Sequence, residues 1–302
     1  MLQGVIPIVL VPFDDKGRVD ERSLRRVVRF ELEAPIDGLG IGGFASEAYK
    51  LTDQERMRCA EVVTDEVNDD VPLIIGISPG STEAGVDQAR FYSQFKPAAL
   101  MVLPPCTMTL TQDGLIDHYV SLADAADVHV MVQQSPHIPA YAHSPLTVDS
   151  MAEISGRTDN VAYFKIEGQG SVDRMKALHD VIDNRVVLFG GGGGITWLDE
   201  LRAGAAGVIP GCGFNEIFVR VWKVWQDGQQ DGATAMLQSL QPLLDAVSGK
   251  NHEFSVHARK HLLKRAGIID CATVRRPTDV GKPTDLETVT RLADTLGLRI
   301  SK

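Results

Sequence analysis

The sequence lacks the features that indicate a membrane-spanning, metal-binding or disulfide-stabilised protein. Its 302 residues contain no apolar run that approaches the ~18 residues of a membrane span. No C-x-x-C pair occurs among the four cysteines, which predicts neither a zinc site nor a disulfide framework (Cys59, Cys106, Cys212, Cys271). No basic segment or cleavage site precedes the first apolar run, so we expect a cytoplasmic location. No cofactor and no membrane partner are predicted.

Positive charge is also scarce. The 30 lysines and arginines are outnumbered by 40 acidic residues, and the net charge of −10 argues against nucleic acid or an anionic membrane as the main partner. An anionic small substrate is not excluded, because local fields decide its binding. The hydrophobic content of 44% and charged content of 23% are typical of a soluble globular protein.

Apolar strand-like runs alternate with helical patterns over about the first 227 residues. Eight such strand–helix units predict a parallel sheet closed into a (β/α)8 TIM barrel. An open doubly wound sheet is the rival architecture, but it usually carries G-x-G-x-x-G after its first strand, and none follows Val11. After Asp227 only helical patterns remain, at residues 231–247, 253–266 and 285–296. The predicted domains are therefore a barrel at 1–227 and a C-terminal three-helix region at 228–302.

A lysine lies in an apolar run at residues 161–168, VAYFKIEG, which predicts a buried strand ending in a turn. Alternation places Tyr163, Lys165 and Glu167 on one face of that strand. Burial in apolar surroundings lowers the pKa of an amine, and a neutral amine is a nucleophile toward ketones. The alternative is a lysine that extends from the strand end into solvent.

Several short motifs follow one another along the whole chain: VIPIVLVPF at the start, GGFASE followed by LTDQER, PLIIGI, the FK of the sixth strand, and GAAGVI. In order and spacing they resemble the dihydrodipicolinate synthase / N-acetylneuraminate lyase family. The resemblance implies a TIM barrel, a homo-oligomer (tetramer or dimer) and a small-molecule 2-oxo acid as substrate. It also implies that Lys165 forms a Schiff base with that acid.

The chain departs from the family pattern where the family transfers protons. The two threonines usual in the second-strand loop are replaced by Phe44 and Ala45, and the usual tyrosine at the end of the fifth strand is Gln133. Cys106 replaces the tyrosine that usually follows the fourth strand. Glutamine has no pKa that would let it replace a phenol in proton transfer. These departures argue against the synthase reaction typical of the family.

A subgroup of the family departs in a similar way. The string AYFKIE at residues 162–167, the VMVQ before the fifth-strand proline and the F-x-S-E loop resemble L-2-keto-3-deoxyarabonate dehydratases. This resemblance implies a lyase that dehydrates a 2-keto-3-deoxy sugar acid through a Schiff base. Three alternatives stay open: a pyruvate-dependent aldolase, a dihydrodipicolinate synthase-like enzyme, and a non-catalytic 2-oxo acid binding protein.

The candidate catalytic residues are Lys165, as the imine-forming amine, and Glu167, as the base that removes the C3 proton and as a possible acid for the leaving hydroxyl. The alternative for Glu167 is a salt-bridge partner that holds Lys165 as an ammonium. Ala45 and Ser46 are predicted to cradle the substrate carboxylate, whereas an ordinary turn serine is the alternative for Ser46.

Four further residues are predicted to bind substrate. Gln133 and Gln134 could hydrogen-bond sugar hydroxyls, although alternation allows at most one of them to face the barrel interior. Gly190 and Gly191 open a run of five glycines that would allow the backbone to approach a ligand closely. His137 is expected at the surface.

Overall fold

The computed structural model describes residues 1–182, 184–278 and 280–301. The chain divides into two compact units. The first comprises Met1–Gln3 and Pro72–Ile209, and the second comprises Gly4–Val71 together with the chain from Pro210 onward. This division differs from the predicted boundary at 227/228, and the predicted domains stay a prediction.

Strands and helices alternate along the described chain. The eight strands are β1 (Gly4–Val5), β2 (Leu39–Ile41), β3 (Leu73–Ile77), β4 (Ala99–Val102), β5 (Val130–Gln134), β6 (Val161–Ile166), β7 (Val187–Phe189) and β8 (Gly207–Val208). The helices are α1 (Glu21–Leu32), α2 (Asp53–Val67), α3 (Thr82–Ser93), α4 (Gln112–Ala125), α5 (Val148–Arg157), α6 (Ser171–His179), α7 (Trp197–Arg202), α8 (Asn215–Gln226), α9 (Gln230–Ser248), α10 (His252–Arg265) and α11 (Pro283–Thr295). Within the described ranges, no helix is both long and apolar enough to cross a membrane.

Helix α5 lies in the connection between β5 and β6. Its N-cap is Thr147, whose side chain accepts a hydrogen bond from the Ser150 N–H. Only Met151 and Ile154 give it fully buried large apolar side chains. Two such positions in ten residues make a weak helical stripe, so apolar periodicity marks this helix only weakly.

The sheet of the first unit is parallel, and its strands follow chain order. β3 to β7 pair side by side, and the bridge between Gly190 and Val208 adds β8 next to β7. The register pairs Gln133 with Lys165 and Lys165 with Phe189, so these side chains share one face. The carboxyl ends of β5, β6 and β7 therefore bring their last residues together.

The central strands of this unit are buried along their full length. Every residue of β4, β5 and β6 is buried, which matches the near-continuous apolar runs seen in the sequence. Each buried Val, Leu or Ile side chain contributes roughly 1.5–3 kcal/mol relative to exposure. Lys165 is the one charged residue within these three strands, so its burial works against the packing that stabilises them.

In the second unit, strand pairing continues beyond the two residues of β1. Ile8 bridges in parallel to both Gly40 and Gly211. The apolar run at residues 5–11 therefore forms isolated bridges rather than one continuous strand, because Pro7 and Pro12 have no N–H to donate to a ladder.

A buried ion pair supports the loop that follows β2. Glu47, in the left-handed conformation with φ of 51°, accepts hydrogen bonds from the Lys260 ammonium and from the Arg275 N–H at 3.1 Å. Lys260 also donates to the Thr273 carbonyl at 3.0 Å and lies 4.1 Å from the centre of the Phe13 ring. Burial lowers the pKa of Lys260 to about 8, although the negative charge of Glu47 acts to raise it.

Candidate active site

The amine of Lys165 lies inside the first unit. Its side chain is 5% exposed, and its Nζ is 3.4 Å from Oε1 of Glu167. The alternative that this lysine extends from the strand end into solvent is therefore wrong. Its immediate charged neighbour is the carboxylate two residues along the same strand face, as the alternation predicted.

The Glu167 carboxylate is held by three hydrogen bonds in addition to the Lys165 ammonium. Oε2 accepts from the Gln133 amide at 2.8 Å and from the Ser135 hydroxyl. Oε1 accepts from the Gly192 N–H at 2.8 Å. Donors from the ends of β5 and β7 thus fix a carboxylate that follows β6.

These contacts determine the charge of Glu167. Burial alone would raise its pKa, but the positive charge of Lys165, the charge of His137 and the hydrogen bonds from Ser135 and Gly192 lower the pKa to about 2. The carboxylate is ionised at neutral pH. In the free protein it can accept a proton, but it has none to donate.

The two adjacent glutamines have different environments. The Gln133 amide donates to Ser135 and Glu167, and its Oε1 is buried with no hydrogen-bond partner among the described residues. Gln134 pairs with Ile166 in register, and its Oε1 accepts from the Leu146 N–H at 2.9 Å. Gln133 therefore offers an open acceptor beside Lys165, whereas Gln134 braces the loop after β5.

The glycine run after β7 is explained by two local requirements. A Cβ on Gly190 would overlap the Glu200 carboxyl, and a Cβ on Gly191 would overlap the Glu167 carboxyl. Gly192, Gly193 and Gly194 follow with φ values of 55°, 72° and 82°, which favour glycine. The predicted close approach is thus made by the protein's own carboxyl groups.

Ala45 and Ser46 belong to the second unit, within a short turn at Phe44–Ser46. The Ser46 hydroxyl donates to the Val9 carbonyl at 2.6 Å and accepts from the Gly42 N–H at 3.1 Å. Its one proton is therefore already used inside the protein, which favours the turn-serine alternative. A carboxylate cradle at Ala45 and Ser46 stays a prediction.

Ser135 and Gly192 contact the central carboxylate but were not predicted as site residues. Ser135 has the same parity as Gln133, just as Glu167 has the same parity as Lys165, so the alternation that selected Glu167 could also have selected Ser135. The hydrogen bond from the Gly192 N–H depends on the path of the loop after β7, and no pattern in the sequence predicts it. His137 is exposed as expected, and its ring packs against Gly168.

The whole chain matches a known family. The profile of the Dihydrodipicolinate synthetase family covers residues 1–296. The chain belongs to this family. The resemblance found in the sequence is therefore confirmed.

Two curated relatives illustrate the range of activities in the family. This chain is 29% identical to an L-2-keto-3-deoxyarabonate dehydratase of Azospirillum brasilense, over 98% of this chain and 96% of the relative. It is 34% identical to an N-acetylneuraminate lyase of Citrobacter koseri over half of each chain. Both names support the predicted lyase class, and they leave open whether water or a carbon fragment is lost.

A solved structure confirms the fold. Dihydrodipicolinate synthase from Aquifex aeolicus aligns with a TM-score of 0.90 at 19% identity, covering 99% of this chain and 100% of that chain. The predicted TIM barrel with a C-terminal helical region is correct.

Adding a methyl group at Gly191 tests the packing of the central carboxylate. We expect Gly191→Ala to lower the free energy of unfolding by about 1–3 kcal/mol, because the new Cβ displaces Glu167 from its donors. Gly156→Ala, near the end of α5 and with no atom within 4 Å of its added Cβ, is the matched control and should be neutral or stabilising. Urea unfolding of both variants measures this, and equal effects would contradict the packing described.

The pH dependence of stability tests the charge of Glu167. Because its folded-state pKa of about 2 lies below the ordinary 4.5, the carboxylate contributes stability that is present above pH 4.5 and lost as the pH falls toward 2. The stability advantage of the wild type over Glu167→Gln should therefore narrow by about 1 kcal/mol between about pH 6 and about pH 3.5. The exposed Glu153→Gln should show no such change, and a constant gap for Glu167→Gln would contradict the assignment.

Proposed function

We propose that this protein is a Schiff-base-forming lyase that removes water from a 2-keto-3-deoxy sugar acid. The observation that carries the proposal is the buried pair of Lys165 and Glu167 at the carboxyl end of β6, with Nζ and Oε1 3.4 Å apart. A barrel enzyme carries its catalytic groups at this end of the strands. The dehydratase relative, which spans nearly the whole chain, supports the choice of reaction.

The first chemical step uses Lys165. The Lys165 ammonium loses one proton, and the resulting amine adds to the C2 ketone. A proton then joins the hydroxyl of the adduct, which leaves as water, and a protonated imine remains. Because the imine withdraws electrons, a proton on the neighbouring C3 becomes acidic. A carboxylate 3.4 Å from the amine is in reach of that proton, so Glu167 takes it and the electron pair forms an enamine.

The second step expels the C4 hydroxyl. The enamine electrons form the C3–C4 double bond as the C4–O bond breaks, and the hydroxyl leaves as water once it has received a proton. Glu167 is ionised before the reaction, so it can give that proton only after taking one from C3. Water then hydrolyses the imine and releases Lys165. The product carries the C3–C4 double bond beside the C5 hydroxyl. Transfer of a proton from C5 to C3 gives the C4–C5 enol, which tautomerises to a semialdehyde.

Substrate hydroxyls need hydrogen-bond partners in a dry site. The buried Oε1 of Gln133, which lacks a partner among the described residues, supports a role in accepting a bond from one of them. Gly191 belongs to the proposed site because its lack of a side chain makes room for the Glu167 carboxyl. Four other residues stay in the proposal as substrate-binding residues, although no contact in the structure supports this role: Gln134, Gly190, Ala45 and Ser46. A homo-oligomer and the absence of a cofactor also stay predictions.

Carbon–carbon cleavage is the second candidate, because a relative is named N-acetylneuraminate lyase. It would use the same imine at Lys165. The absence of a phenol at position 133 argues for dehydration, since aldol cleavage needs a group that removes a hydroxyl proton from the substrate.

A panel of 2-keto-3-deoxy acids, assayed for semialdehyde and for pyruvate, tests the proposal. We expect a semialdehyde from wild type, a loss of more than about 10³-fold in kcat for Lys165→Ala, and a loss of about 10²–10⁴-fold for Glu167→Gln. The exposed Lys176→Ala and Glu153→Gln variants should match wild type. Pyruvate as the product would favour cleavage, and full turnover by Glu167→Gln would remove its proton-transfer role.

A further inference from the structure

A second buried carboxyl, that of Glu200 in α7, lies behind the glycine run. It is 1% exposed. Its Oε1 accepts hydrogen bonds from the Ser171 hydroxyl at 3.0 Å and from the Thr196 hydroxyl at 2.8 Å. Ser171 begins α6 and Thr196 precedes α7, so one oxygen atom joins the loops that follow β6 and β7.

The other oxygen of Glu200 packs against Gly190. Oε2 is buried, has no hydrogen-bond partner among the described residues, and packs where a Cβ of Gly190 would lie. The next residue, Gly191, makes the same space for the Glu167 carboxyl. Two consecutive glycines therefore accommodate two carboxyl groups, that of Glu200 from α7 and that of Glu167 from the end of β6.

The surroundings of Glu200 favour its neutral form. Burial raises its pKa to about 7, and the hydrogen bonds from Thr196 and Ser171 only partly oppose this. The carboxylates of Glu167 and Asp199 act in the same direction as burial. A positive group also lies close by, because the Arg174 guanidinium on α6 donates a hydrogen bond to the Glu167 carbonyl at 2.7 Å. The neutral form joins the loops without placing a second negative charge beside Glu167.

We propose that Glu200 is a positioning residue that ties the β6–α6 loop to the β7–α7 loop through its hydrogen bonds to Ser171 and Thr196, and thereby holds the Gly192 N–H on the Glu167 carboxylate. The role in catalysis rests on the proposed function, in which Glu167 is the base. The loops at issue are residues 167–170 and 190–196, and their direct contact is the 2.8 Å bond from Gly192. Releasing the tie at Glu200 lets that contact loosen, and a misplaced base lowers kcat more than it changes KM.

Two variants separate the hydrogen bonding of Glu200 from its charge. Glu200→Gln keeps the acceptor oxygen for Ser171 and Thr196 and cannot ionise. Glu200→Ala removes the acceptor altogether. Hydrogen exchange of the peptide covering residues 190–196 reports the loop contact without any assay of activity. We expect exchange in Glu200→Ala to be about 10-fold faster or more, and exchange in Glu200→Gln to match wild type.

Turnover gives the second readout, normalised to the fraction of protein that borohydride traps as an imine with pyruvate. We expect Glu200→Ala to lose about 10- to 100-fold in kcat, and Glu200→Gln to stay within about twofold of wild type near pH 6.5.

Unchanged hydrogen exchange in Glu200→Ala would overturn the proposal, as would a kcat of Glu200→Ala that stays within about twofold of wild type. A failure of the proposed function is distinguishable, because it would appear as no imine and no turnover in wild type. The exchange experiment would still decide whether Glu200 ties the two loops.

Discussion

The burial of the Lys165 amino group and the Glu167 carboxylate together at the end of β6 is the constraint on which the site depends. Neither charge could be buried alone without a cost of several kcal/mol. Lys165 and Glu167 lie on the same strand face, and each makes the burial of the other tolerable. A parallel sheet covered on both faces supplies the dry surroundings, and its carboxyl edge supplies backbone and side-chain donors from neighbouring strands.

The sequence around this pair follows from the same constraint. Gln133 and Ser135 complete the hydrogen bonds of Glu167 from β5, and Gly191 and Gly192 make room and donate from the loop after β7. Gln133, which stands where the family usually has a tyrosine, therefore has a role of its own. Gln133 holds the carboxylate, so the loss of the phenol and the presence of Glu167 belong to one arrangement.

The sequence predicted the features that depend on periodicity. The eight strand–helix units, the burial of Lys165 and its proximity to Glu167 all follow from alternation within short segments, and family resemblance added the expected amine chemistry. Gln134 could not be separated from Gln133, because alternation says only that one of two neighbouring residues on a strand faces the interior, and not which one. Its register with β6 settles which side chain faces Lys165.

Other features could not be predicted from the sequence, because they depend on contacts between distant segments of the chain. Ser46 bonds to Val9 and Gly42, and no pattern of residue types reveals that its hydroxyl is already occupied. Glu200 resembles any helix glutamate in the sequence, since its burial against Gly190 arises only when α7 packs behind the loop. Apolar periodicity marks the helix at Val148–Arg157 only weakly, because two of its four buried residues are serines.

The central claim is that the Lys165 amine reacts with a 2-oxo acid, and peptide mapping after borohydride reduction in the presence of pyruvate tests it most directly. A reduced adduct on this amine blocks tryptic cleavage after Lys165, so the account predicts a peptide of residues 158–174 that carries the mass of one reduced pyruvate unit. Complete cleavage after Lys165, with the adduct absent or on another lysine, would contradict it.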